Sequence, residues 1–374
     1  MLVFQTIKVK NVLYIGNFDE NYSRNWIILR ALRINGIKVY KLNFKKSSNR
    51  KVIYTFIKSF NTLNSIDFDL IIFFSVSPRD WLLFSLTKLY SKYRKIPLIY
   101  DYFVSKFQTY YDDRKVFSRK NMLFKLLKYA FLYCLDYFEC LLSDKIILDT
   151  NTHIKYFNLK FNVRKNKFRR ILVGAEPIFS ISNNAVKRRG NGENIKVGFW
   201  GTYIPLHGIE FIIEAANILK DDKRIFFSLL GRGQTYKKNF ELAKSLKLNN
   251  LEFHDIIPLK QLPNFISECD IALGIFGKGE KTLCVIPNKT FEAIQMKIPV
   301  ITSSTPAINE LFTHRENIFL CQRADPKSIS EGILELVNNR ELRLKIADNA
   351  FQIYKEKTCL KCISNDLARF FLEI

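Results

Sequence analysis

Residues 197–216 read VGFWGTYIPLHGIEFIIEAA, which is an apolar run, a glycine turn and a helical pattern in succession. The apolar run Ile195–Phe199 predicts a strand that ends at Gly201. The segment Gly208–Leu219 has the apolar spacing of a helix. A strand that passes through a short glycine turn into a helix is the unit from which parallel sheets with helical faces are built.

The same unit recurs on both sides of this stretch. On the C-terminal side, Ile225–Leu230 and Ile271–Ile275 predict strands that alternate with helices. On the N-terminal side, a long helix is predicted over Asn121–Leu142, and strands are predicted at Val12–Ile15, Ile37–Leu42, Leu70–Phe74, Pro97–Tyr100, Lys145–Leu148 and Arg170–Val173. The sequence therefore predicts an α/β protein with two tandem Rossmann-like doubly wound domains facing a cleft.

The two predicted domains differ sharply in charge. A polar segment without apolar periodicity separates them, so we predict a first domain over 1–185, a linker over 186–194, a second domain over 195–350 and a C-terminal helix over 351–374 that packs back on the first domain. Residues 1–190 contain 35 of the 59 Lys and Arg but only 13 of the 35 Asp and Glu. Nearly all of the net charge of +24 therefore lies in the first half, which indicates that the two halves have different partners.

The sequence also argues against secretion and a membrane span. Met1–Lys10 lacks an apolar core followed by a small-residue cleavage site, so we expect no signal peptide. Leu123–Leu142 is apolar but is interrupted by four charged residues, which makes it a poor membrane span. Seven scattered cysteines predict reduced thiols in a cytoplasmic protein, and Cys359 and Cys362 are the one close pair.

An ordered set of motifs in the second half carries a resemblance to a known family. After residues 197–216 come LGRGQ at 230–234, DIALGIFG at 270–277, IPNKTFEAI at 286–294 and IPVIT at 298–302, with Glu310 beyond them. This succession resembles the nucleotide-sugar domain of the type-B glycosyltransferases, in particular the retaining family-4 enzymes (glycosyl transferases group 1). The resemblance covers about 195–350 well and the first half more weakly. It implies the type-B fold and a retaining, hexosyltransferase-like enzyme that moves a sugar from a nucleotide-diphosphate sugar to a hydroxyl of a cell-envelope or lipid-linked glycan.

Pro287, Asn288 and Lys289 stand at the start of a predicted helix. The free amides of a helix N-terminus suit a phosphate group, and Lys289 adds a charge for the diphosphate of the donor. Glu292 resembles the family glutamate that accepts hydrogen bonds from ribose hydroxyls. The alternative is that Glu292 only complements the helix dipole and Pro287 only caps the helix.

The sequence departs from the family pattern at several donor positions. The family has a second glutamate where this chain has Cys284, and Glu280, four residues earlier, is the remaining candidate for that catalytic carboxylate. Thr202 and His207 stand where the family has an Arg and a Lys, and a neutral histidine carries little charge. Either Lys289 and Arg232 neutralise the diphosphate, or donor binding is weakened. Gly201 is a turn glycine that lets the donor approach closely.

The first half offers fewer candidates. Gly16 ends the first strand, where the type-B fold often has a loop that faces the donor phosphates. Asp101 follows the strand Pro97–Tyr100, where many family members carry a His near the reacting sugar, so we take it as a catalytic candidate, with a structural loop Asp as the alternative. Arg24 is either a phosphate ligand or a solvated arginine. His153 is expected to be a surface or hydrogen-bonded polar residue.

No metal or other cofactor is expected. Asp67 and Asp69 resemble the metal-binding D-x-D motif of the other glycosyltransferase fold, but they precede a strand rather than end one. No cluster of His, Cys and carboxylates has the spacing of a zinc site.

The basic first half indicates where the acceptor lies. The segment 119–133 combines Lys and Arg with Leu, Phe and Tyr at helical spacing, which suits an interfacial helix on anionic lipid, with a core helix as the alternative. The sequence therefore predicts a cytoplasmic protein that binds peripherally at the inner face of the plasma membrane and does not bind nucleic acid. Alternative functions are a sugar-nucleotide epimerase of the same fold, a non-enzymatic polyanion-binding protein and an inactive scaffold.

Overall fold

The chain divides into two compact units. The structure is a computed structural model that describes residues 8–44, 49–114, 122–180 and 194–374. Unit 1 comprises Met1–Val173 together with Leu360–Ile374, and unit 2 comprises Gly174–Cys359. Unit 2 thus begins before the predicted linker, and of that linker only Asn194 lies within the described residues.

Unit 1 is built on a six-stranded parallel sheet in the order β2-β1-β3-β4-β5-β6. Its strands are β1 (Asn11–Gly16), β2 (Lys38–Asn43), β3 (Leu70–Phe74), β4 (Leu98–Asp101), β5 (Lys145–Leu148) and β6 (Phe168–Arg170). The direction of the strand order reverses between β1 and β3, and ligands of open α/β sheets bind at such switch points.

Helices cover both faces of this sheet. They are α1 (Ser23–Ile34), α2 (Asn49–Asn64), α3 (Trp81–Arg94), α4 (Met122–Leu142), α5 (Asn151–Phe161) and the C-terminal helix (Leu360–Phe371). Helices α2 to α5 pack on one face around buried residues such as Phe56 and Leu132. Helix α1 and the C-terminal helix pack on the other, where Asn35 Nδ2 donates to Ser364 O at 2.9 Å. The C-terminal helix is therefore part of unit 1.

Unit 2 repeats the architecture with a second parallel sheet in the order β12-β11-β10-β7-β8-β9. Its strands are β7 (Ile195–Trp200), β8 (Ile225–Leu230), β9 (Leu251–His254), β10 (Ile271–Leu273), β11 (Val300–Ser303) and β12 (Phe319–Cys321). Its helices are α6 (Ile209–Ile218), α7 (Tyr236–Ser245), α8 (Leu262–Ser267), α9 (Glu280–Cys284), α10 (Asn288–Gln295), α11 (Pro326–Asn338) and α12 (Arg340–Ile353). Here the strand order reverses between β7 and β10, so these two strands end at the switch point.

The predicted class, two doubly wound α/β domains, is confirmed. Four helices and strands were not predicted from the sequence, namely α2, α5, α9 and β12. The sixth strand was predicted at Arg170–Val173, whereas β6 is Phe168–Arg170 and pairs with β5 through Phe168, Arg169 and Arg170.

The cysteine expectation needs a correction. Cys359 and Cys362 are joined by a disulfide rather than reduced. Cys359 has an extended backbone and directly precedes the C-terminal helix, and Cys362 lies in the first turn of that helix.

Two further features concern the part of the chain that is described. No helix there combines the length and the apolar character needed to cross a bilayer. No group of three or more His, Cys, Asp and Glu side chains there is arranged to hold a metal ion.

Candidate functional site

The side chains of Trp200, Lys289 and Glu292 meet at the switch point of unit 2. Trp200 is the last residue of β7, and α10 begins after Pro287, whose extended backbone conformation (φ −70°, ψ 147°) caps the helix. The indole Nε1 of Trp200 donates to Glu292 Oε2 at 2.6 Å. This bond fixes the first turns of α10 against the end of β7.

Lys289 places a side-chain amine in the buried part of this site. The residue is 6% exposed, and its Nζ has no partner among the described residues. The amine lies 3.7 Å above the ring of Phe199, and a Cβ placed on Gly201 would lie 3.3 Å from it. Burial lowers the pKa of Lys289 well below its usual value, against an opposing contribution from Glu292. An anion at this position would supply the missing partner.

The carboxyl group of Glu292 has an unusual proton affinity. Burial raises its pKa to about 7, while the hydrogen bond from Trp200 and the charge of Lys289 oppose the shift and Glu176 adds to it. Glu176 lies on the segment before unit 2's first strand, where its backbone carbonyl accepts from Gln295 Nε2 at 3.1 Å. Glu292 can therefore change protonation near neutral pH when a ligand changes its surroundings.

The turn after β7 is organised by Gly201, Thr202 and His207. Gly201 has a φ of 139°, a region that disfavours other residues, and its N–H donates to Leu230 O at 3.1 Å. Thr202 is exposed, and its carbonyl accepts from Nδ1 of the largely buried His207. The histidine thus holds the turn.

Arg232, the other cation predicted to bind the diphosphate, forms an ion pair with Asp255. Its guanidinium pairs with Asp255, with Nε and Nη2 at 3.0 and 3.1 Å from the two carboxylate oxygens, and lies 3.9 Å above the ring of Tyr236. Of the two cations that the sequence offered for the diphosphate, Lys289 is the one without an anionic partner in a hydrogen bond.

Glu280 and Asn288 are placed at helix starts. Glu280 is exposed in the first turn of α9, and the loop before it is held by Arg323, whose Nη1 donates to Lys278 O at 2.7 Å. Cys284, in the position of the family's second glutamate, is buried at the other end of α9. Asn288 is half-buried at the first position of α10.

In unit 1, Gly16 lies at the switch point between β1 and β3. Its φ is 153°, and a Cβ there would lie 1.9 Å from Phe74 O. Only glycine allows the two strands to end so close together.

Asp101 was predicted to contact the reacting sugar, but its carboxylate is buried and hydrogen-bonded to Arg24. Its two oxygens accept three hydrogen bonds of 2.7 to 3.0 Å from Arg24, and both residues are fully buried. Arg24 also donates to Ile171 O at 2.7 Å, so it is not the solvated arginine that the sequence allowed. Burial raises the pKa of Asp101, and the charge of Arg24 opposes the shift.

His153 and Asp149 extend this buried polar cluster. His153 Nδ1 donates to Asp149 Oδ1 at 2.8 Å, and His153 is fully buried rather than on the surface. Its Nε2 has no hydrogen-bond partner in the described structure, so only one of its two ring nitrogens is hydrogen-bonded.

Two residues of these clusters, Asp149 and Trp200, were not predicted from the sequence. Each lies at the carboxyl end of a strand, and that position was the one signal by which the sequence could have indicated them.

Comparison with known proteins finds a family match in the second half of the chain. Residues 181–353 match the family described as glycosyl transferases group 1. An uncharacterized glycosyltransferase of Methanocaldococcus jannaschii is 24% identical over 172 residues, 44% of this chain and 44% of that protein. The capsular polysaccharide biosynthesis glycosyltransferase CapM of Staphylococcus aureus is 22% identical over 204 residues, 52% of this chain and 50% of that protein. The chain spans about half the length of the curated relatives it matches.

Solved structures match almost the whole chain. Anabaena HepE in complex with UDP-glucose has a TM-score of 0.72 at 15% identity and covers 97% of this chain and 100% of its own. Sucrose-phosphate synthase of Thermosynechococcus elongatus has a TM-score of 0.74 at 12% identity, with coverage of 97% and 98%. At these identities the likeness shows the fold, which is the type-B glycosyltransferase fold of two Rossmann-like domains.

Proposed function

We propose, from the premise that residues 181–353 form a glycosyl transferases group 1 domain, that the chain is a retaining glycosyltransferase. In this proposal a hexosyl group passes from a nucleoside-diphosphate sugar to a hydroxyl group of an acceptor. The observation that carries the proposal is the buried amine of Lys289, unpaired within the described residues beside the Gly201 turn.

The diphosphate of the donor is the anion that fits this position. Lys289 would supply one positive charge, and the free amides at the start of α10 would supply directed donors. Glu292, held by Trp200, would accept hydrogen bonds from the ribose hydroxyls, as the family resemblance implies. Gly201 leaves room for the phosphates beside the amine, because any side chain there would crowd Lys289.

The chemistry proposed for the transfer needs a stabilised leaving group. The acceptor oxygen forms a bond to the anomeric carbon on the face from which the diphosphate leaves, and the bond from that carbon to the diphosphate oxygen breaks. The acceptor proton passes to the departing diphosphate. Lys289 and the α10 amides would stabilise the negative charge that develops on that oxygen. No metal is invoked in this scheme.

The proposed acceptor is a cell-envelope or lipid-linked glycan, with the protein bound peripherally at the cytoplasmic face of the plasma membrane. Support comes from CapM, a relative named for capsular polysaccharide biosynthesis, and from the excess of positive charge in the first half of the chain. UDP-glucose is the first donor to try, because HepE was solved with it.

The test combines binding and product analysis. Purified protein is titrated with UDP-, GDP- and CDP-sugars by calorimetry, and the binding sugar nucleotides are then incubated with membrane extracts as the acceptor source. Release of the nucleoside diphosphate together with a glycosylated product supports the proposal. Conversion of the donor into an isomeric nucleotide sugar would instead show an epimerase, and failure of the whole panel to bind would overturn the enzyme proposal.

A further inference from the structure

Four helices of unit 1 form one continuous layer. Helices α2, α3, α4 and α5 pack side by side on a single face of the first sheet, with α2 against α3, α3 against α4 and α4 against α5. We call the side of this layer that points away from the sheet the outer surface. The opposite face of the sheet is covered by α1 and the C-terminal helix.

The outer surface is apolar to an unusual degree. Eight large apolar side chains of α4 are 39 to 65% exposed: Leu123, Phe124, Leu126, Leu127, Phe131, Phe138, Leu141 and Leu142. The neighbouring helices add Ile53, Tyr54, Ile57, Trp81, Leu89, Tyr93 and Leu159. Scattered exposed leucines are ordinary, but a concentration on one layer marks an interaction surface.

The outer surface carries no carboxylate from its four helices. Helices α2, α3 and α5 contain no Asp or Glu. The two acids of α4 point into the unit, where Asp136 accepts from Tyr102 OH at 2.6 Å and Glu139 pairs with the buried Lys106. The outer cations are exposed lysines, namely Lys51, Lys58, Lys92, Lys125 and Lys155.

Two carboxylates at the border of the layer are paired with cations of α3. Asp67, which follows α2, lies 3.3 Å from Arg94 of α3. Asp144, which follows α4, lies 3.0 Å from Lys88 of α3. Each of these two carboxylates thus lies beside a cation of the layer, and the exposed charges on the four helices themselves are positive.

We infer that the outer surface docks on an anionic phospholipid bilayer, with α4 lying in the interface. The leucines and phenylalanines of α4 would enter the boundary between headgroups and acyl chains, and the lysines would reach the lipid phosphates. The amine of Lys128 lies 4.4 Å above the ring of Phe124. A charged group and an apolar group of α4 therefore lie side by side, as the boundary between lipid headgroups and acyl chains requires. A bilayer suits an apolar surface that carries exposed lysines better than a second copy does, since two copies would bring like charges together.

This inference deepens the proposed function, because it rests on that function for the statement that the acceptor is membrane-bound. Its test is nevertheless separate, because vesicle binding is measured without any nucleotide. If the protein binds vesicles but no sugar nucleotide, the membrane inference stands and the proposed transferase activity is wrong. If it binds a sugar nucleotide but no vesicles, the proposed activity stands and the membrane inference is wrong.

The experiment is flotation of the full chain with phosphatidylcholine vesicles and with vesicles in which phosphatidylglycerol replaces part of that lipid. The variant L127E/F131E places two carboxylates on the outer surface at exposed positions. The matched control, I218E/I256E, makes the same change at exposed apolar positions of unit 2. Circular dichroism and the thermal midpoint establish that both variants remain folded.

We expect binding to the anionic vesicles only, a loss of about tenfold or more in L127E/F131E, and no loss in the control. Raising the salt concentration should weaken binding of the wild type, because lipid phosphates and lysines are screened. Absence of flotation, or equal flotation of the two variants, would overturn the inference. So would a dimer in light scattering that dissociates in L127E/F131E while no vesicles are bound, since the occupant would then be a second copy.

Discussion

Trp200 and Glu292 are joined by a hydrogen bond of 2.6 Å from the indole Nε1 to the carboxylate Oε2. They are 92 residues apart in the sequence, and each is less than one tenth exposed. The bond links the end of β7 to α10 and fixes the carboxylate beside Lys289. The candidate donor site is therefore preorganised by the fold and needs no ligand to assemble it.

Removal of the Trp200 donor should destabilise the protein. In Trp200→Phe the buried Glu292 carboxyl loses its hydrogen bond, and a polar group left unsatisfied costs about 1–3 kcal/mol. The unfolding free energy from urea denaturation should fall by that amount. Trp81→Phe, at a tryptophan that is 44% exposed, is the control and should leave stability unchanged. A Trp200→Phe protein as stable as the wild type would mean that the bond contributes nothing.

The raised pKa of Glu292 predicts a pH-dependent stability. Because the folded protein holds this proton up to about pH 7 and the unfolded chain releases it near 4.5, the usual pKa of a glutamate, folding is favoured by proton binding between these values. The contribution is complete below the lower value and is lost as the pH rises through the higher one. Relative to Glu292→Gln, the wild type should therefore lose stability as pH rises across this window, by about 1.4 kcal/mol for each pH unit that separates the two pKa values.

The measurement is the urea midpoint of wild type and Glu292→Gln at several pH values. Glu280→Gln is the matched control, since Glu280 is exposed and its variant should follow the wild type throughout. Parallel curves for wild type and Glu292→Gln would contradict the assignment of a buried, readily protonated carboxyl.

Asp101 is predicted to be a structural residue of unit 1. Asp101→Asn leaves the fully buried Arg24 without its counter-ion, and breaking such a pair costs about 3–5 kcal/mol. The double variant Arg24→Met with Asp101→Leu removes both charges and should recover most of that loss. Unfolding measured by denaturant decides the matter: an Asp101→Asn protein of wild-type stability that has lost turnover would make Asp101 a catalytic group instead.

The alternation of strands and helices was predictable because most buried strands are short apolar runs, and several of them, such as β1, β4 and β8, end at a glycine or follow a proline. The elements that were missed lack that signal. Helix α2 buries Val52, Phe56 and Leu63 on one face but also exposes Tyr54 and Ile57, so apolar residues occur outside the buried face and obscure its spacing in the sequence. Strand β12 has three residues, too few to show a period.

The composition of the donor site was partly predictable, and its electrostatics were not. Lys289 and Glu292 were recognised from their position at a helix start. Their isolation from water depends on Trp200 and Phe199, which are far away in the sequence and come close through the pairing of β7 with β10. The pairing of Arg232 with Asp255 and of Asp101 with Arg24 likewise depends on contacts between separate elements.

Lys289 is the proposed ligand of the donor diphosphate, and calorimetric titration with UDP-glucose of wild type, Lys289→Met and Lys260→Met tests this central claim directly. Methionine keeps the buried volume without the charge, so Lys289→Met should be at least as stable as the wild type. Its affinity should nevertheless fall about ten- to hundredfold, while the exposed Lys260 control binds normally. Should UDP-glucose fail to bind the wild type, GDP- and CDP-sugars replace it in the same titration. Equal affinity of wild type and Lys289→Met for the nucleotide sugar that binds would contradict the claim, as would failure of every one to bind.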